Sequence, residues 1–307
     1  MRSIHRAALS AAAVVLVGAT AACSGSEDGD EGAFGGGERD GGATSGDAFS
    51  AVQAAAESTT EITSAGFTAT TSGPATATGG EVEISGVMSW GDGVVLDATM
   101  SGEAMQLGPE APSEMRMVML DDVMYMNLGE SFAAEFDGRE WMMMDMGALA
   151  EESGDPALAQ AVDMGFDEAS QDPSAQMGLL LQSPDIESVG EEEIDGVTVE
   201  HYQGTVSVED ALQNNGAADV FTEEELQQLT DNMEQSGIES YDIDVWVDEN
   251  DFPIQIRQAF DSEMGPVTTE VRYTDLGAEV DVAAPEEGSY VDFMELMESM
   301  GVQPESL

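Results

Sequence analysis

The stretch EVEISGVMSWGDGVVLDATM, residues 81–100, alternates apolar and polar side chains on both sides of a glycine-rich centre. Val82, Ile84 and Met88 are separated by acids, serine and small residues, and the same alternation resumes after Gly91-Asp92-Gly93. A period of two is typical of a β-strand with one buried face, and a Gly-Asp-Gly centre favours a tight turn. The segment therefore predicts a β-hairpin that turns one face toward a core.

Similar alternation recurs along most of the chain. It predicts further strands at residues 115–119, 123–127, 139–144, 186–192, 197–208, 241–247, 253–260 and 267–273. Helical spacing predicts helices at residues 47–59, 146–166, 173–182 and 292–300, and one that begins at Thr222. In the first helix, Phe49, Val52 and Ala56 are expected to share the buried face. About ten antiparallel strands with a few helices between them predict a single α+β domain.

The first 22 residues have the layout of a secretory signal peptide. Two arginines form a positive start, residues 7–19 are small and apolar, and Thr20-Ala21-Ala22 precedes Cys23. The apolar run is too short for a comfortable transmembrane helix. Cys23 is the only cysteine and stands where bacterial lipoproteins are acylated, so it is the predicted lipidation site. The alternative is an ordinary secreted protein in which Cys23 has no such role.

A flexible tether is predicted between Cys23 and the folded domain. Residues 24–46 are rich in Gly, Ser, Asp and Glu and contain too little apolar surface to form a core. A flexible chain of this length reaches roughly 25–30 Å on average. The predicted organisation is therefore a signal peptide at 1–22, a lipidated Cys and acidic linker at 23–46, and one domain at 47–307.

The charge of the chain is extreme. It has 63 Asp and Glu against seven Arg, and it contains no Lys. Nucleic acids need a cationic surface, and anionic membranes also select basic segments, so both are excluded as partners of the domain surface. Acids that hydrate well and keep a protein soluble in strong salt favour a saline external medium. Calcium binding is the rival explanation, but residues 248–251 lack the glycine and distal glutamate of an EF-hand loop.

Catalytic and cofactor motifs are scarce. His201 is the one histidine beyond the predicted signal peptide, which excludes a two-histidine zinc site. The chain has no GxSxG nucleophile motif and no phosphate-binding GxxxxGK[ST] loop. His201 lies within a predicted strand, where a structural histidine on a sheet face is the simpler interpretation. We therefore expect no enzyme activity, no catalytic residues, no metal site and no cofactor.

Methionine is unusually concentrated. Of the 20 methionines, 12 lie between Met88 and Met146, and the alternation predicts thioethers on both faces of adjacent strands. Flexible, polarizable side chains suit a surface that accommodates variable apolar ligands. The alternative is an ordinary core in which Met replaces Leu and Ile. Thioethers also bind Cu(I), but the chain lacks tight MxxM clusters accompanied by histidine.

The order of elements resembles a known family. The segments that carry the resemblance, after the lipidation motif, are IESVGEEEIDGVTVEHYQGTVSV (186–208), YDIDVWVDENDFPIQIR (241–257) and VTTEVRYTDLGAEVDVAAP (267–285). They are similar to actinobacterial LppX/LprG-like lipoproteins, which are related in shape to the LolA and LolB carriers. The resemblance implies a single large curved antiparallel sheet, a half-barrel, with helices packed on its concave face. It also implies an apolar cavity for acyl chains and no catalytic residues.

These patterns together predict a non-enzymatic, lipid-anchored protein on the extracytoplasmic face of the cell membrane. The leading hypothesis is a binding protein, such as a carrier, for a lipid or another apolar ligand. The alternative is an envelope interaction module that contacts a membrane or transport protein. The residues predicted to line a ligand cavity are Met88, Trp90, Met115, Met117, Met119, Met124, Met126 and Trp246.

Overall fold

A computed structural model describes residues 45–74, 78–90, 93–105, 113–153, 173–214 and 223–299. The helices are α1 Ser45–Thr59, α2 Gly129–Glu135, α3 Met146–Ser153, α4 Pro173–Leu180, α5 Val208–Asn214, α6 Glu223–Gln235 and α7 Phe293–Ser299, with a 3-10 turn at Glu103–Met105. The strands are β1 Ser64–Ser72, β2 Val82–Ser89, β3 Val95–Gly102, β4 Glu114–Leu120, β5 Val123–Asn127, β6 Trp141–Asp145, β7 Glu187–Ile194, β8 Val197–Ser207, β9 Ser240–Asp248, β10 Pro253–Phe260, β11 Val267–Thr274 and β12 Tyr290–Asp292.

The strands form one open sheet. Their order is β12-β6-β5-β4-β3-β2-β1-β11-β10-β9-β8-β7, and the described pairs are antiparallel except β12 with β6. Most neighbours in the sheet are also neighbours in sequence, as expected when hairpins connect successive strands. The predicted fold class is confirmed: a large, curved, mostly antiparallel sheet with helices.

Aspartates and glycines shape the turns of the predicted hairpins. Asp121, which connects β4 to β5, has φ 54°. Asp195 and Gly196 connect β7 to β8 with φ 52° and 86°, and Asp251 has φ 59° between β9 and β10. Asp and Gly enter this left-handed region at the least cost, which explains why hairpin turns select them. The turn at 91–93 begins outside the described residues.

Two strands were not predicted from the sequence. β1 lies in the middle of the sheet, between β2 and β11, yet its sequence SAGFTATTS is dominated by small and hydroxyl side chains. Its burial is therefore set by its neighbours and not by a strong apolar alternation. β12 is only three residues long and runs parallel to β6, so it has too few positions to show a period.

Helix α1 confirms the predicted helix but buries a different face. Phe49 is 40% exposed, whereas Ala48, Val52, Ala55 and Thr59 are buried. The expectation that Phe49 belongs to the buried face was therefore wrong. The buried stripe consists mostly of small side chains, which allow a helix to approach its neighbours closely.

The antiparallel register divides the sheet into two faces, because directly paired residues point to the same side. The first face carries Phe67 of β1, Val245 of β9 and Ile256 of β10. The second face carries His201 and Arg257, among others. Helices α1 and α4 pack on the first face, where buried residues of both helices join the core of β1 and β8–β11.

This part of the first face, which we call the closed half, is tightly packed. The residues that seal it at no more than 1% exposure are Val52, Ala55, Met177, Leu180, Val206, Ile243, Val245 and Ile256. Gly204 of β8 permits the close approach of α4, because a Cβ there would lie 2.4 Å from Ser183 Oγ. Gln176 adds a hydrogen bond from its Nε2 to Tyr273 Oη at 3.2 Å.

Several predictions fall on residues that the structure does not describe. They are the signal peptide at 1–22, Cys23, the linker up to residue 44, the helical continuation over 154–166 and the cap at Thr222. Among the described residues, no helix has both the length and the apolar character needed to span a membrane.

Candidate apolar binding face

Nine methionines share the first face of the sheet beyond the closed half. The register places Met100 opposite Met115, Met117 opposite Met126, and Met119 opposite Met124. The last two of these rows continue to Met142 and Met144 on β6, and the Met119 row also reaches Met88 on β2 through Leu96. The complete set, called the methionine face below, is Met88, Met100, Met115, Met117, Met119, Met124, Met126, Met142 and Met144.

Folding leaves the methionine face partly open. Met119 is buried at 6% exposure, and the other eight methionines are each partly exposed. The reverse side of the same strands is also open in part: Val118 and Tyr125 are buried there, whereas Glu83, Val87 and Arg116 are exposed. Burial raises the pKa of the Tyr125 phenol, and the nearby Tyr290 and Asp145 act in the same direction. The two sides therefore differ in chemistry: the first face is lined by thioethers, and the reverse side carries charged groups.

The sequence-based expectation of thioethers on both faces needs correction. Met143 alone among the strand methionines of β2–β6 lies on the second face, paired with Tyr125. The odd-numbered methionines of β4 and the even-numbered ones of β5 and β6 face the same way. The turn at Asp121-Asp122 changes the parity, because Leu120 pairs with Val123.

The structure brings together the six methionines that were predicted to line a cavity. Trp90 follows β2 and is buried in the core beside the methionine face, and Met88 also packs against that core. Trp246 lies on the second face of β9, opposite His201, and so does not share a surface with the methionines. Met100, Met142 and Met144 were missed, although their alternation was visible, because their membership depends on strand register.

Trp246 belongs instead to a polar cluster on the second face of β7–β10. Its ring stacks on His201 with centroids 4.3 Å apart, and its Nε1 donates to Glu192 Oε2 at 3.0 Å. His201 Nδ1 lies 2.9 Å from Glu192 Oε1, and Nε2 lies 2.8 Å from Asp244 Oδ1. Arg257 donates twice to the other oxygen of Asp244, at 3.0 and 2.7 Å.

This geometry uses both nitrogens of the imidazole. Each ring nitrogen lies within hydrogen-bond distance of a carboxylate oxygen, and Arg257 contacts the same Asp244. Such an arrangement ties four neighbouring strands together. It leaves no ring nitrogen free to act as a base.

The described arginines are all engaged within the chain. Arg116 donates to Asp97 at 2.6 Å, a hydrogen bond that raises the pKa of the guanidinium. Arg272 contacts Asp195 and Glu270, each at 3.2 Å, and Arg139 donates to the Phe136 carbonyl at 3.0 Å. Within the described ranges, the surface therefore offers acids and apolar groups, but no unpaired guanidinium.

A shallow depression beside helix α6 is a poor candidate for an apolar ligand. It has a volume of about 550 Å³ and is lined by Asp231, Glu234, Gln235 and Glu239. Three carboxylates and one amide repel an acyl chain. Within the described residues, no group of His, Cys, Asp and Glu side chains is arranged to hold a metal ion.

Comparisons with known proteins find relatives in Streptomyces. An uncharacterised 31.2 kDa protein of Streptomyces griseus, from the region between rplA and rplJ, is 29% identical over 230 residues. The alignment covers 72% of this chain and 72% of that protein. A Streptomyces coelicolor protein, provisionally named a lipoprotein, is 26% identical over 72% of this chain and 67% of its own length. No family model matches the chain.

Solved structures with similar backbones are more distant in sequence. LprF from Mycobacterium bovis has a TM-score of 0.46 and 15% identity, with 78% of this chain and 96% of that one covered. LppX from Mycobacterium tuberculosis has a TM-score of 0.46 and 10% identity, with 77% and 98% covered. The chain is thus similar to a Streptomyces coelicolor protein that is provisionally named a lipoprotein and to the Mycobacterium tuberculosis lipoprotein LppX.

Proposed function

We propose that this protein is a lipid-anchored, extracytoplasmic binding protein that holds a lipid or another apolar ligand against the methionine face. The observation that carries the proposal is the partial exposure of eight of its nine methionines. The closed half of the same face shows that this fold can seal an apolar surface completely. An apolar surface of this extent that folding leaves accessible marks a binding site.

The chemistry of the thioether suits a ligand of variable shape. Met has three rotatable bonds and a polarizable sulfur, so neighbouring chains repack around different partners. Burying one methylene contributes about 0.8 kcal/mol, so about ten methylenes supply about 8 kcal/mol. That is the free energy of a micromolar complex before the entropic cost of association is subtracted. Because that cost is about 4–15 kcal/mol, tight binding needs a longer acyl chain or a second one.

The N-terminal region supplies the proposed location. A signal peptide at 1–22 directs export, acylation of Cys23 attaches the protein to the membrane, and residues 24–46 form the tether. The provisional name of the Streptomyces coelicolor relative supports this assignment. The domain at 47–307 then works within roughly 25–30 Å of the membrane surface.

The proposed role involves no catalysis. His201 is held by Glu192 and Asp244 through both ring nitrogens, on the face opposite the methionines. A general base must have a free nitrogen within reach of its substrate. The polar cluster is therefore structural, and the methionine face binds without transforming its ligand.

An envelope interaction module is the second candidate function. A protein partner with an apolar segment would cover the same methionines, because large exposed apolar patches also mark protein interfaces. The two functions differ in what occupies the face when the protein is isolated. Bound lipid supports the binding protein, whereas a single stoichiometric protein partner supports the interaction module.

The decisive experiment combines native mass spectrometry with titration of a fluorescent fatty acid into the unlipidated domain, residues 24–307. The double variant Met117→Gln/Met126→Gln places two amides in one cross-strand row of the methionine face. We expect its Kd for the probe to rise at least about tenfold, because each buried amide must lose water without gaining a partner. The matched control is Val87→Gln, an exposed position on the second face of β2.

The control variant should bind as the parent does, and all three proteins should have similar melting temperatures. Absence of both co-purified lipid and probe binding in the parent domain would refute the binding function. Equal weakening by Val87→Gln and by the double variant would show that the ligand does not use the methionine face.

The anchor is tested separately in cells. Cys23→Ser removes the thiol that would form the thioether to lipid but keeps a similar size and polarity. We expect the full-length parent to partition into the detergent phase and the variant to move to the aqueous phase. Recovery of both proteins in the aqueous phase would show that Cys23 is not acylated.

A further inference from the structure

The methionine face combines two properties in one apolar surface: it is built from thioethers, and eight of its nine methionines are partly exposed. We propose that it is a site of reversible methionine oxidation, and that oxidation by peroxide or hypochlorous acid releases the bound ligand. The ligand-release step rests on the proposed function. The modification site itself does not.

Accessibility selects which methionines react. An oxidant must reach the sulfur atom, and the eight open methionines of the face offer that approach. Met177 in α4 is fully buried, and Met119 and Met297 are 6% and 7% exposed. These three are protected in the folded protein. Met264, in the turn between β10 and β11, is 54% exposed and lies outside the methionine face. Its oxidation therefore serves as a control.

The reaction needs no metal and no other side chain. A sulfur lone pair attacks one oxygen of hydrogen peroxide, the O–O bond breaks, and the departing hydroxide takes the proton to form water. The sulfur is oxidised by two electrons to the sulfoxide and the peroxide is reduced by two. Methionine sulfoxide reductases reverse this step, with one enzyme class for each sulfoxide epimer.

The cross-strand rows magnify the effect of oxidation on binding. Met117 is paired with Met126, and Met126 with Met142, so a row of three thioethers becomes a row of three polar S=O groups. Each sulfoxide oxygen is a hydrogen-bond acceptor, and its row neighbours are methionines that donate nothing. An acyl chain placed on such a row would strip water from unpaired acceptors, which costs more than its own burial contributes.

The fold itself is expected to survive. The first-face core of β1 and β8–β11 contains Ile243, Val245 and Ile256, which have no oxidisable sulfur, and its Met177 is fully buried. The Glu192–His201–Asp244 cluster on the second face is equally unaffected. Oxidation of the methionine face thus leaves this packed core intact.

The test treats the folded domain with millimolar hydrogen peroxide and follows each methionine by peptide mass spectrometry, while the fluorescent fatty acid reports binding. We expect the open methionines of the face and Met264 to oxidise at least about tenfold faster than Met119, Met177 and Met297. Probe affinity should fall at least about tenfold and return after treatment with both reductase classes.

Two variants make the result specific. Met264→Leu removes the exposed control methionine, and its loss of affinity on oxidation should equal that of the parent. Met117→Leu/Met126→Leu/Met142→Leu removes the sulfur atoms of one row and keeps the surface apolar, so its affinity should fall less on peroxide treatment than that of the parent. Circular dichroism checks that oxidation leaves the fold intact.

The outcomes separate the two proposals. Uniform oxidation of open and buried methionines would overturn the modification site, whatever the probe shows. Selective oxidation with unchanged affinity would overturn oxidative release but keep the binding function. Selective oxidation of a domain that never binds the probe would refute the proposed function and leave the modification site established.

Discussion

The closed half and the methionine face, both on the first face of the sheet, differ in how tightly their side chains are packed. In the closed half, β-branched strand residues meet small helix residues, and Val52, Val245 and Met177 have no exposed surface. On the methionine face, unbranched thioethers remain partly exposed and touch few rigid neighbours. Shape-complementary packing produces a unique core, whereas flexible side chains produce a surface that adapts. One continuous sheet therefore carries both a folding core and the proposed binding surface.

The largest expected contrast compares the same substitution in the two halves. Met177→Ala removes a fully buried side chain from the contact between α4 and the sheet. Its cost should be about 2–5 kcal/mol, because both transfer free energy and a cavity are involved. Met126→Ala on the methionine face should cost less than about 1 kcal/mol, since the site is already partly solvated. Urea denaturation of both variants measures the difference, and equal losses would contradict the distinction between the halves.

A second contrast lies between two glycines near α4. Gly204→Ala places a Cβ 2.7 Å from Ser183 Cβ and 3.0 Å from Leu180 Cδ1, so α4 must shift outward. We expect a loss of about 1–3 kcal/mol, typical of an overpacked core. Gly178→Ala, within α4, meets no atom within 4 Å and should stabilise by roughly 0.5–1 kcal/mol. Thermal melts that rank the two variants in the reverse order would refute the close approach of α4.

A third variant separates the two faces of the sheet. His201→Ala removes the imidazole between Glu192 and Asp244 and leaves Trp246 without its stacking partner. We expect a stability loss of about 1–2 kcal/mol from the unpaired polar groups. Probe binding should remain unchanged, because His201 faces away from the methionines. Loss of binding at unchanged stability would place His201 in the functional site.

The smallest expected effect concerns the turn that connects α4 to the sheet. Ser183 Oγ donates to Asp185 at 2.5 Å, and this bond, with the Thr205 amide, lowers the pKa of the Asp185 carboxyl. A lowered pKa stabilises the fold above the unfolded value near about 4 and loses that contribution as pH falls through the folded value. Solvent screening limits the effect to less than about 1 kcal/mol.

Removing the Ser183 hydroxyl, which donates to Asp185, tests the direction of this pH dependence. The stability difference between the parent and Ser183→Ala should be larger at pH 7 than at pH 2, because the hydrogen bond to the Asp185 carboxylate weakens as the pH falls. Thermal unfolding across that range measures the difference. A gap that widens toward low pH would contradict the assigned role of the carboxylate.

The alternation of apolar and polar residues predicted most of the sheet, because large apolar side chains in a strand are usually the buried ones. The strands at 115–119, 241–247 and 253–260 are confirmed for that reason. β1 was missed because its buried residues, Ser64 to Phe67, are mostly small and follow one another along the strand, so they show no alternation. Their burial depends on the elements packed around them, which the local sequence does not show.

The methionine face was only partly predictable for a related reason. The concentration of Met is visible in the sequence, but its arrangement on one face depends on register across five strands. The turn parity at Asp121-Asp122 aligned β4 with β5, and one residue more would have reversed every thioether of β5. Trp246 was misjudged because its partners, Glu192 and His201, lie on strands that only the fold brings alongside it.

The edge of the sheet at β7 has a consequence for how copies of this domain share a crowded surface. β7 ends the strand order, and a bulge between Ser188 and Gly190 interrupts its pairing with β8. Three successive glutamates, residues 191–193, are exposed along it. A bent, highly charged edge discourages pairing with a strand of a neighbouring molecule. Two copies that meet at this edge therefore repel each other and do not join their sheets.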